Sequence, residues 1–531
     1  MLTSMTRLSG RSLIGFHEGA GTGPEMYATD PTTGRQLQPA FIPARPEEVE
    51  LAVQLSAEAF DSYRQVSGRD RGAFLRKIAE KIEAIAGEVV ERAMQETALP
   101  QARLQGETAR TCGQLRLFAQ VAEEGSWVNA RIDHADASRK PLPKPDIRSM
   151  LRPLGPVVVF AASNFPLAFS VAGGDTASAL AGGNTVIVKA HAAHPGTSEL
   201  VGRAVQESVR ECGLPEGVFS VLFGSGSQIG TALMKHPLVR AGGFTGSRAA
   251  GRILMDVAAS RPEPIPFYAE MSSTNPVFIL PGALRERGDN IAAALHGSFT
   301  LGAGQFCTKP GMVFLPQGAN AESFADKLRE LVSGSAPYHL LTKAIHASYD
   351  SAIAARKTDG AVTLLAEAPK ASADGFAVTS AVFETDAPTF LGSELDGEIF
   401  GPATLLVRHS SREQVLEIAR SLEGHLTATI HGTEQDLHDF ADLIAILETK
   451  VGRLVFNGFP TGVEVTHAMV HGGPYPSTSD GRSTSVGSQA IFRFTRLVCY
   501  QEFPDSALPD ELKDGNPLGM WRMIDGQIVR G

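Results

Sequence analysis

Cysteine, basic charge and long apolar runs are all scarce in this chain, and each shortage argues against a class of function. Four cysteines occur in 531 residues, at positions 112, 212, 307 and 499, and no two form a CxxC pair. That argues against a thiolate metal cluster or a dithiol redox motif, and separated reduced thiols fit a cytoplasmic setting. Lysine and arginine total 48 against 58 acidic residues, giving a net charge of −10 and a pI near 5.8. Nucleic acids and anionic membranes draw most of their affinity from a basic face, so neither is expected as a partner. No apolar run reaches the roughly 18 residues of a transmembrane helix. The opening "MLTSMTRLSGRSL" lacks the apolar core of a secretory leader. Internal repeats and low-complexity tracts are also missing.

What is present is ordinary globular material. Hydrophobic residues make up 43% and charged residues 20%, and the length corresponds to three or four domains' worth of mass. In "RGAFLRKIAEKIEAIAGEVVERAMQET", Phe74, Ile78, Ile82, Ile85 and Val89 recur at helical spacing, which predicts one long amphipathic helix. A second helix is expected in "GETARTCGQLRLFAQVAEE", with Cys112 inside it. The Pro- and Lys-rich segment 137–149 reads as a linker or an edge ribbon.

From residue 154 short apolar runs alternate with helices, the pattern of a parallel α/β sheet covered on both faces. "GPVVVFAASNFP", "NTVIVKA", "GVFSVLFG" and "LVRAGGFTG" supply strands. A second α/β region to about 465 draws on "GMVFLP", "ATLLVRH", "LTATIHG" and "GRLVFNG". The stretch "QAIFRFTRLVCYQEF" alternates enough to be a strand pairing with the Pro-rich ribbon. Cys212 continues the stripe of Val201, Val205 and Val209 and is expected to pack.

Five features bear on chemistry. "FTGSRAAG" places Ser247 where a helix begins, suited either to a phosphate or to ordinary serine capping. "GSGSQIG" has GxGxxxG spacing and reads as a turn rather than a dinucleotide fingerprint. Cys307 stands in the glycine-rich "GQFCTKPG", outside any periodic element. It is either a packed thiol or a nucleophile with room around it. Glu270 ends the apolar run "PIPFYAE". It is either a carboxyl with raised pKa acting as a base or a strand-end group facing solvent. Asn164 in "SNFP" could donate to an oxyanion or form a turn before Pro166.

Taken in order, "SNFP", "VIVKAHAAHP", "FTGSRAAG", "AEMSSTNP", "GQFCTKPG" and "EIFGP" resemble the aldehyde dehydrogenase superfamily over nearly the whole chain. Glu270 precedes Cys307 by 37 residues, in keeping with that pattern. The resemblance implies an α/β fold with a parallel-sheet cofactor domain (1–136 and 150–275) and an α/β catalytic domain (276–465). It also implies a small β oligomerisation ribbon and substrate-loop region (137–149 and 466–503), followed by a tail (504–531) of open role. It implies oxidation of an aldehyde to a carboxylate through a thiohemiacetal and a thioester, in a cytoplasmic homodimer or homotetramer. Cys307 would be the nucleophile, Glu270 the base, and Asn164 with the Cys307 N–H the oxyanion hole. Lys189 would hold the adenine ribose, Gly246 and Ser247 the pyrophosphate, and Glu398 the nicotinamide ribose, with Phe400 against the ring.

Two departures stand out. Glu270-Met271-Ser272-Ser273 replaces a Glu-Leu-Gly-Gly common in the family, which reduces backbone freedom beside the glutamate. Ala192 stands where NAD-preferring members often carry glutamate, so NADP is the expected cofactor, with NAD also usable. The stretch "FNGFPTGVEVTHAMVHGGPYPSTSDGRSTSVG" resembles the branch that oxidises 2-oxoglutarate semialdehyde (2,5-dioxopentanoate). Medium- or long-chain or aromatic aldehydes are the alternative within that branch, and a non-catalytic nucleotide-binding oligomer is the alternative outside it. Arg110 and Arg482 are candidate anchors for a substrate carboxylate. No metal is expected.

Overall fold

The computed structural model describes residues 8–370 and 374–530. The first seven residues, part of the stretch read for a leader, lie outside the described residues. Among the described residues, no helix is long and apolar enough to cross a membrane.

The short apolar runs become Val157–Phe160, Val186–Lys189 and Phe219–Leu222, four-residue strands with every side chain buried. With Ala241–Thr245 and Phe267–Glu270 they form the parallel part of a seven-stranded sheet. Leu13–Ile14 and His17–Glu18 add an antiparallel edge. Val157–Phe160 is central: the next two strands build to one side, and the last two to the other. Strand order therefore reverses between Val157–Phe160 and Ala241–Thr245. In open α/β sheets, the crevice beyond the carboxyl ends at that point is where ligands bind. Asn164 follows the first of these strands, and Gly246 and Ser247 follow the second.

The second seven-stranded sheet runs in the order Thr363–Glu367, Ala381–Asp386, Ala403–His409, Met312–Pro316, Val277–Ile279, His425–His431, Val451–Phe456. All pairs are parallel except the edge strand Thr363–Glu367. Apolar residues from the helices and strands form its core, among them Phe314, Phe383 and Leu443.

A third sheet has five strands: Thr495–Gln501, Ile147–Pro153, Arg131–Asp133, Arg522–Ile524 and Gln527–Val529. The late strand pairs within one chain, antiparallel over seven residues from Thr495↔Pro153 to Gln501↔Ile147, but its partner strand takes only residues 147–149 from the Pro-rich segment. The tail, whose role sequence left open, adds two strands to this sheet. Arg522–Ile524 runs parallel to Arg131–Asp133, and Leu508, Leu512 and Met520 join the main core.

Two expectations are corrected. The long amphipathic helix is two helices, Gly68–Ala84 and Ala86–Thr97, broken at Ile85 (φ −111°, ψ 15°). The apolar stripe survives because Phe74, Ile78, Ile82 and Val89 still share one buried face. Hydrophobic spacing specifies which face is buried, and a single break leaves that unchanged. Cys212 is exposed. The helix Pro195–Glu211 stops just before it, so the stripe through Val209 does not carry Cys212 inward.

Candidate active site

Cys307 sits in the connection between the helix Pro281–Thr300 and the strand Met312–Pro316. Three successive residues there, Gly302, Ala303 and Gly304, have positive φ (57°, 60° and 68°). This left-handed turn is cheap for glycine and costs roughly 1–2 kcal/mol at alanine. Gly304 is required twice over, because a Cβ on it would lie 2.2 Å from the Gly401 carbonyl oxygen. The turn thereby brings the cysteine loop against the loop carrying Glu398 and Phe400. Lys309 strengthens that contact: its buried Nζ donates to the carbonyls of Ile399 (2.7 Å) and Ala403 (2.8 Å). Burial pushes the Lys309 pKa down to about 8.

Asn275 clamps the same loop from the other side. Its Nδ2 donates to the carbonyls of Cys307 (2.8 Å) and Lys309 (3.0 Å), and its Oδ1 accepts from Thr427 (3.0 Å). The sequence reading quoted this residue inside "AEMSSTNP" and assigned it nothing. A buried Asn with φ 49° is a position where the side chain's hydrogen bonds offset backbone strain.

Glu270 ends its strand 4% exposed. Its carboxylate Oε1 lies 2.9 Å from His471 Nε2, and Oε2 accepts from Ser485 Oγ at 2.9 Å. His471 Nε2 is also 3.5 Å from Cys307 Sγ. One ligating atom from each of Glu270, Cys307 and His471 lies within 4.8 Å of the others. Burial alone would raise the Glu270 pKa, but His471, Ser485 and the thiol together hold it below its ordinary value. The raised pKa expected from apolar neighbours is corrected accordingly: the neighbours in sequence are apolar, whereas those in space are polar. Burial pushes the Cys307 thiol well up, Glu270 pushes it further, and Arg110 opposes.

The sequence reading missed His471. It lies 164 residues from Cys307, inside the quoted "THAMVHGG". No local pattern distinguishes it from the other histidines. In the fold it is buried, with its N–H held by Thr484 Oγ1 (2.8 Å) and its carbonyl accepting from Ser485 N (2.8 Å).

The serines replacing glycine also acquire a physical account. Ser273 Oγ accepts from Leu426 N (3.0 Å) and donates to Asn275 (2.9 Å), tying the two sheets together. Ser272 Oγ accepts from Arg248 N (3.3 Å) and faces Glu398. The Glu270 backbone is itself held, its carbonyl accepting from Gly246 N at 3.1 Å.

Asn164 Nδ2 donates to the Gln305 carbonyl at 2.9 Å, two residues before the cysteine. Its second amide hydrogen and the Cys307 N–H make no protein hydrogen bond among the described residues. Two unengaged donors beside the thiol are what a developing oxyanion needs.

The remaining predicted residues lie along the carboxyl edge of the first sheet. Lys189 is 7% exposed at its strand end, and burial pushes its pKa down to about 8. Its Nζ has no protein partner among the described residues, an orphaned donor of the kind that ligand hydroxyls satisfy. Ser247 caps the helix Arg248–Ala259 through Ala250 N (3.3 Å), and Gly246 precedes it. Serine capping, one of the two readings weighed for it, is therefore formed, and the helix dipole still favours an anion there. "GSGSQIG" forms a wide, π-type helical turn over Gly226–Gly230 capped by Ser225. Glu398 is half-buried and its pKa is raised by burial, with Ser272 and Lys309 opposing; Phe400 is half-buried beside it. These groups fit a dinucleotide.

A pocket of about 570 Å³ opens onto Cys307, lined by Phe165, Phe169, Phe306, Arg103 and Arg110 among others. Arg110 is thus brought to the thiol. Arg482 is not: its side chain is 91% exposed and paired with Asp480 at 3.0 Å.

Comparison with known proteins agrees with this geometry. The chain is 48% identical over 528 residues to alpha-ketoglutaric semialdehyde dehydrogenase 2 of Azospirillum brasilense, covering 98% of this chain and 99% of that protein. It is 42% identical over 530 residues to alpha-ketoglutaric semialdehyde dehydrogenase of Acinetobacter baylyi, covering 99% and 100%. Among solved structures, 1-pyrroline-5-carboxylate dehydrogenase from Thermus thermophilus superposes with a TM-score of 0.79 at 21% identity, covering 93% of this chain and 92% of that one. An aldehyde dehydrogenase from Bacillus cereus, solved as its NAD+ complex, gives 0.79 at 22%, covering 92% and 96%. At such identity these two likenesses speak for the fold alone. Residues 19–497 match the aldehyde dehydrogenase family, and the chain belongs to that family.

Proposed function

We propose that the protein oxidises 2-oxoglutarate semialdehyde to 2-oxoglutarate with a nicotinamide dinucleotide, Cys307 being the nucleophile. The observation that carries the chemistry is the Cys307–His471–Glu270 cluster beside two unengaged N–H donors. The substrate rests on the two relatives that match along essentially their whole length.

Burial and Glu270 hold the proton on the thiol, so attack needs an acceptor, and the Glu270 carboxylate, hydrogen-bonded to the thiol, supplies it. His471 Nε2, 2.9 Å from Glu270 Oε1 and 3.5 Å from the thiol, positions that carboxylate beside the sulfur. Sulfur adds to the aldehyde carbon, and the resulting oxyanion is held by the Cys307 N–H and Asn164 Nδ2, each such donor worth roughly 3–4 kcal/mol. The dinucleotide, when bound, supplies the hydride acceptor that turns the thiohemiacetal into a thioester. Glu270, its pKa held below the ordinary value, releases the thiol's proton to solvent and then takes a proton from water. The hydroxide adds to the thioester carbonyl, the C–S bond breaks, and carboxylate and thiol are released.

Lys189, Gly246, Ser247, Glu398 and Phe400 are read as the cofactor's contacts. Ala192, exposed and uncharged three residues after Lys189, presents no carboxylate to a 2′-phosphate, which supports NADP with NAD as a second cofactor. The first sheet with its helices is read as the cofactor domain and the second as the catalytic domain. The five-stranded sheet is read as the oligomerisation ribbon of a cytoplasmic homodimer or homotetramer. Its edge strand Thr495–Gln501 exposes Leu497 at 63%, supporting that reading.

The test is steady-state kcat/KM for 2-oxoglutarate semialdehyde, hexanal and benzaldehyde with each dinucleotide, alongside Cys307→Ala. The semialdehyde with NADP is expected to lead, and Cys307→Ala to lose turnover. A preference for hexanal rejects the substrate, a tenfold weaker binding of NADP than NAD rejects the cofactor preference, and surviving activity in Cys307→Ala rejects the nucleophile.

A further inference from the structure

We propose that Arg110 is the residue that selects an anionic aldehyde, taking the carboxylate end of the substrate while the aldehyde carbon meets Cys307. This deepens the proposed function and rests on its substrate.

Arg110 lies on the helix Gln101–Glu124 and lines the pocket that opens onto Cys307. Its Nε and Nη2 are buried and make no hydrogen bond among the described residues. These two nitrogens form one edge of the guanidinium, the edge whose parallel N–H bonds match the two oxygens of a carboxylate. A desolvated cationic donor pair without an acceptor is costly. Arg92, the other arginine with the same two nitrogens unbonded, has Glu96 at 3.0 Å to neutralise it. No such pairing is formed by Arg110.

The two buried carboxylates whose charges reach it, Glu107 and Glu270, are already committed, Glu270 to His471 and Ser485. Glu107, three residues before Arg110, accepts from the N–H groups of Leu167 (2.9 Å) and Ala168 (3.0 Å), and its second oxygen pairs with Arg103 (3.2 Å). Glu464, the other acid in the lining, is exposed, and its Oε1 accepts from Val465 N at 3.2 Å. The pocket therefore contains two guanidinium groups, one of them without an anion.

Aromatic walls fix its orientation. The Arg110 guanidinium carbon is 5.1 Å from the centre of the Phe169 ring and 5.8 Å from that of Phe165. Stacking holds the plane of the group while leaving its edge for hydrogen bonding. The edge is buried, so taking the substrate carboxylate requires the long side chain to turn that edge toward the pocket. Arg110 is also near enough to the thiol for its charge to favour the thiolate. A short chain with an aldehyde at one end and a carboxylate at the other can bridge the two groups. An uncharged aldehyde of the same length leaves the donor pair unmet, and sites built around such donors discriminate strongly.

The experiment compares kcat/KM for 2-oxoglutarate semialdehyde with that for pentanal, in wild type, Arg110→Gln and Arg110→Lys. Inhibition by glutarate is measured with each protein, and thermal melting checks folding. The expected result is an acid-to-pentanal ratio about 100-fold lower in Arg110→Gln, mostly through KM, with glutarate inhibition weakened in parallel. Arg110→Lys, which keeps the charge and loses the bidentate edge, should fall between. An unchanged ratio in both variants, or an equal loss for both aldehydes with unaltered glutarate inhibition, overturns the proposal. Should the wild type itself show no preference for the acid, the substrate reading fails first, and undiminished glutarate inhibition in Arg110→Gln then separately refutes the anion site.

Discussion

His471 offers the sharpest test of the catalytic geometry, through His471→Asn. His471 Nε2 lies 2.9 Å from the Glu270 carboxylate, and a hydrogen bond to an ionised group is worth roughly 1.5–3 kcal/mol. Removing that partner leaves a buried carboxylate under-satisfied, at a cost of roughly 1–3 kcal/mol and more for a charged group. Protonating an ordinary glutamate at pH 7 costs about 3 kcal/mol. The two are of the same size, so Glu270 in the variant takes up a proton near neutrality, burial now being the dominant influence on it. Its pKa therefore moves upward, and the acid limb of the kcat–pH profile moves up with it. With Glu270 protonated, the thiol loses its proton acceptor, an effect of roughly 10²–10⁴ in rate. At pH 7 kcat should fall about 100-fold and recover in part as pH rises. Alkylation of Cys307 by iodoacetamide should slow about tenfold or more, by the same argument. Profiles from about pH 5 to 9 and alkylation rates, followed by mass spectrometry at Cys307, provide the assay. An acid limb at the wild-type position together with wild-type alkylation would refute the reasoning.

Two further outcomes follow from the fold. Gly304→Ala places a Cβ 2.2 Å from the Gly401 carbonyl at φ 68°, so it should lower the melting temperature and activity together. Gly360→Ala, where nothing lies within 4 Å of the added atom, should leave both unchanged; equal behaviour of the two variants would contradict the packing argument. In the ribbon, the Asp525 carboxylate accepts from His134 Nδ1 at 2.7 Å, which raises the His134 pKa and lowers that of Asp525 to about 2. The histidine's contribution is complete below its unfolded pKa of about 6.5 and is lost as pH rises through its raised folded value. The aspartate's contribution is complete above about 3.9 and is lost as pH falls through its lowered folded value. Limited proteolysis of the tail should therefore be slowest between about pH 4 and 6.5, and His134→Ala should flatten that dependence. A pH-independent cleavage rate in the wild type would count against the contact.

Much of the parallel core could be read directly because its strands are buried on both faces. Runs such as "VVVF" and "VIVK" are then apolar at every position. The order of motifs from Asn164 to Phe400 is likewise a property of the chain, since each motif carries its own turn or cap within a few residues. Alternation foreshadowed the strand Thr495–Gln501, while its partner Ile147–Pro153 lies mostly beyond the Pro-rich segment. The break at Ile85 and the exposure of Cys212 were hidden, because periodicity records a face and says nothing of where the backbone leaves the helix. Tertiary structure alone decided the electrostatics. Glu270 follows apolar residues, yet its carboxylate meets His471 and Ser485, both more than 200 residues away. Arg110 and Arg482 looked alike as letters; one faces the thiol with no counter-ion, and the other lies in solvent. Charges act through space and burial, and only the folded chain determines which groups are near and how much water lies between them.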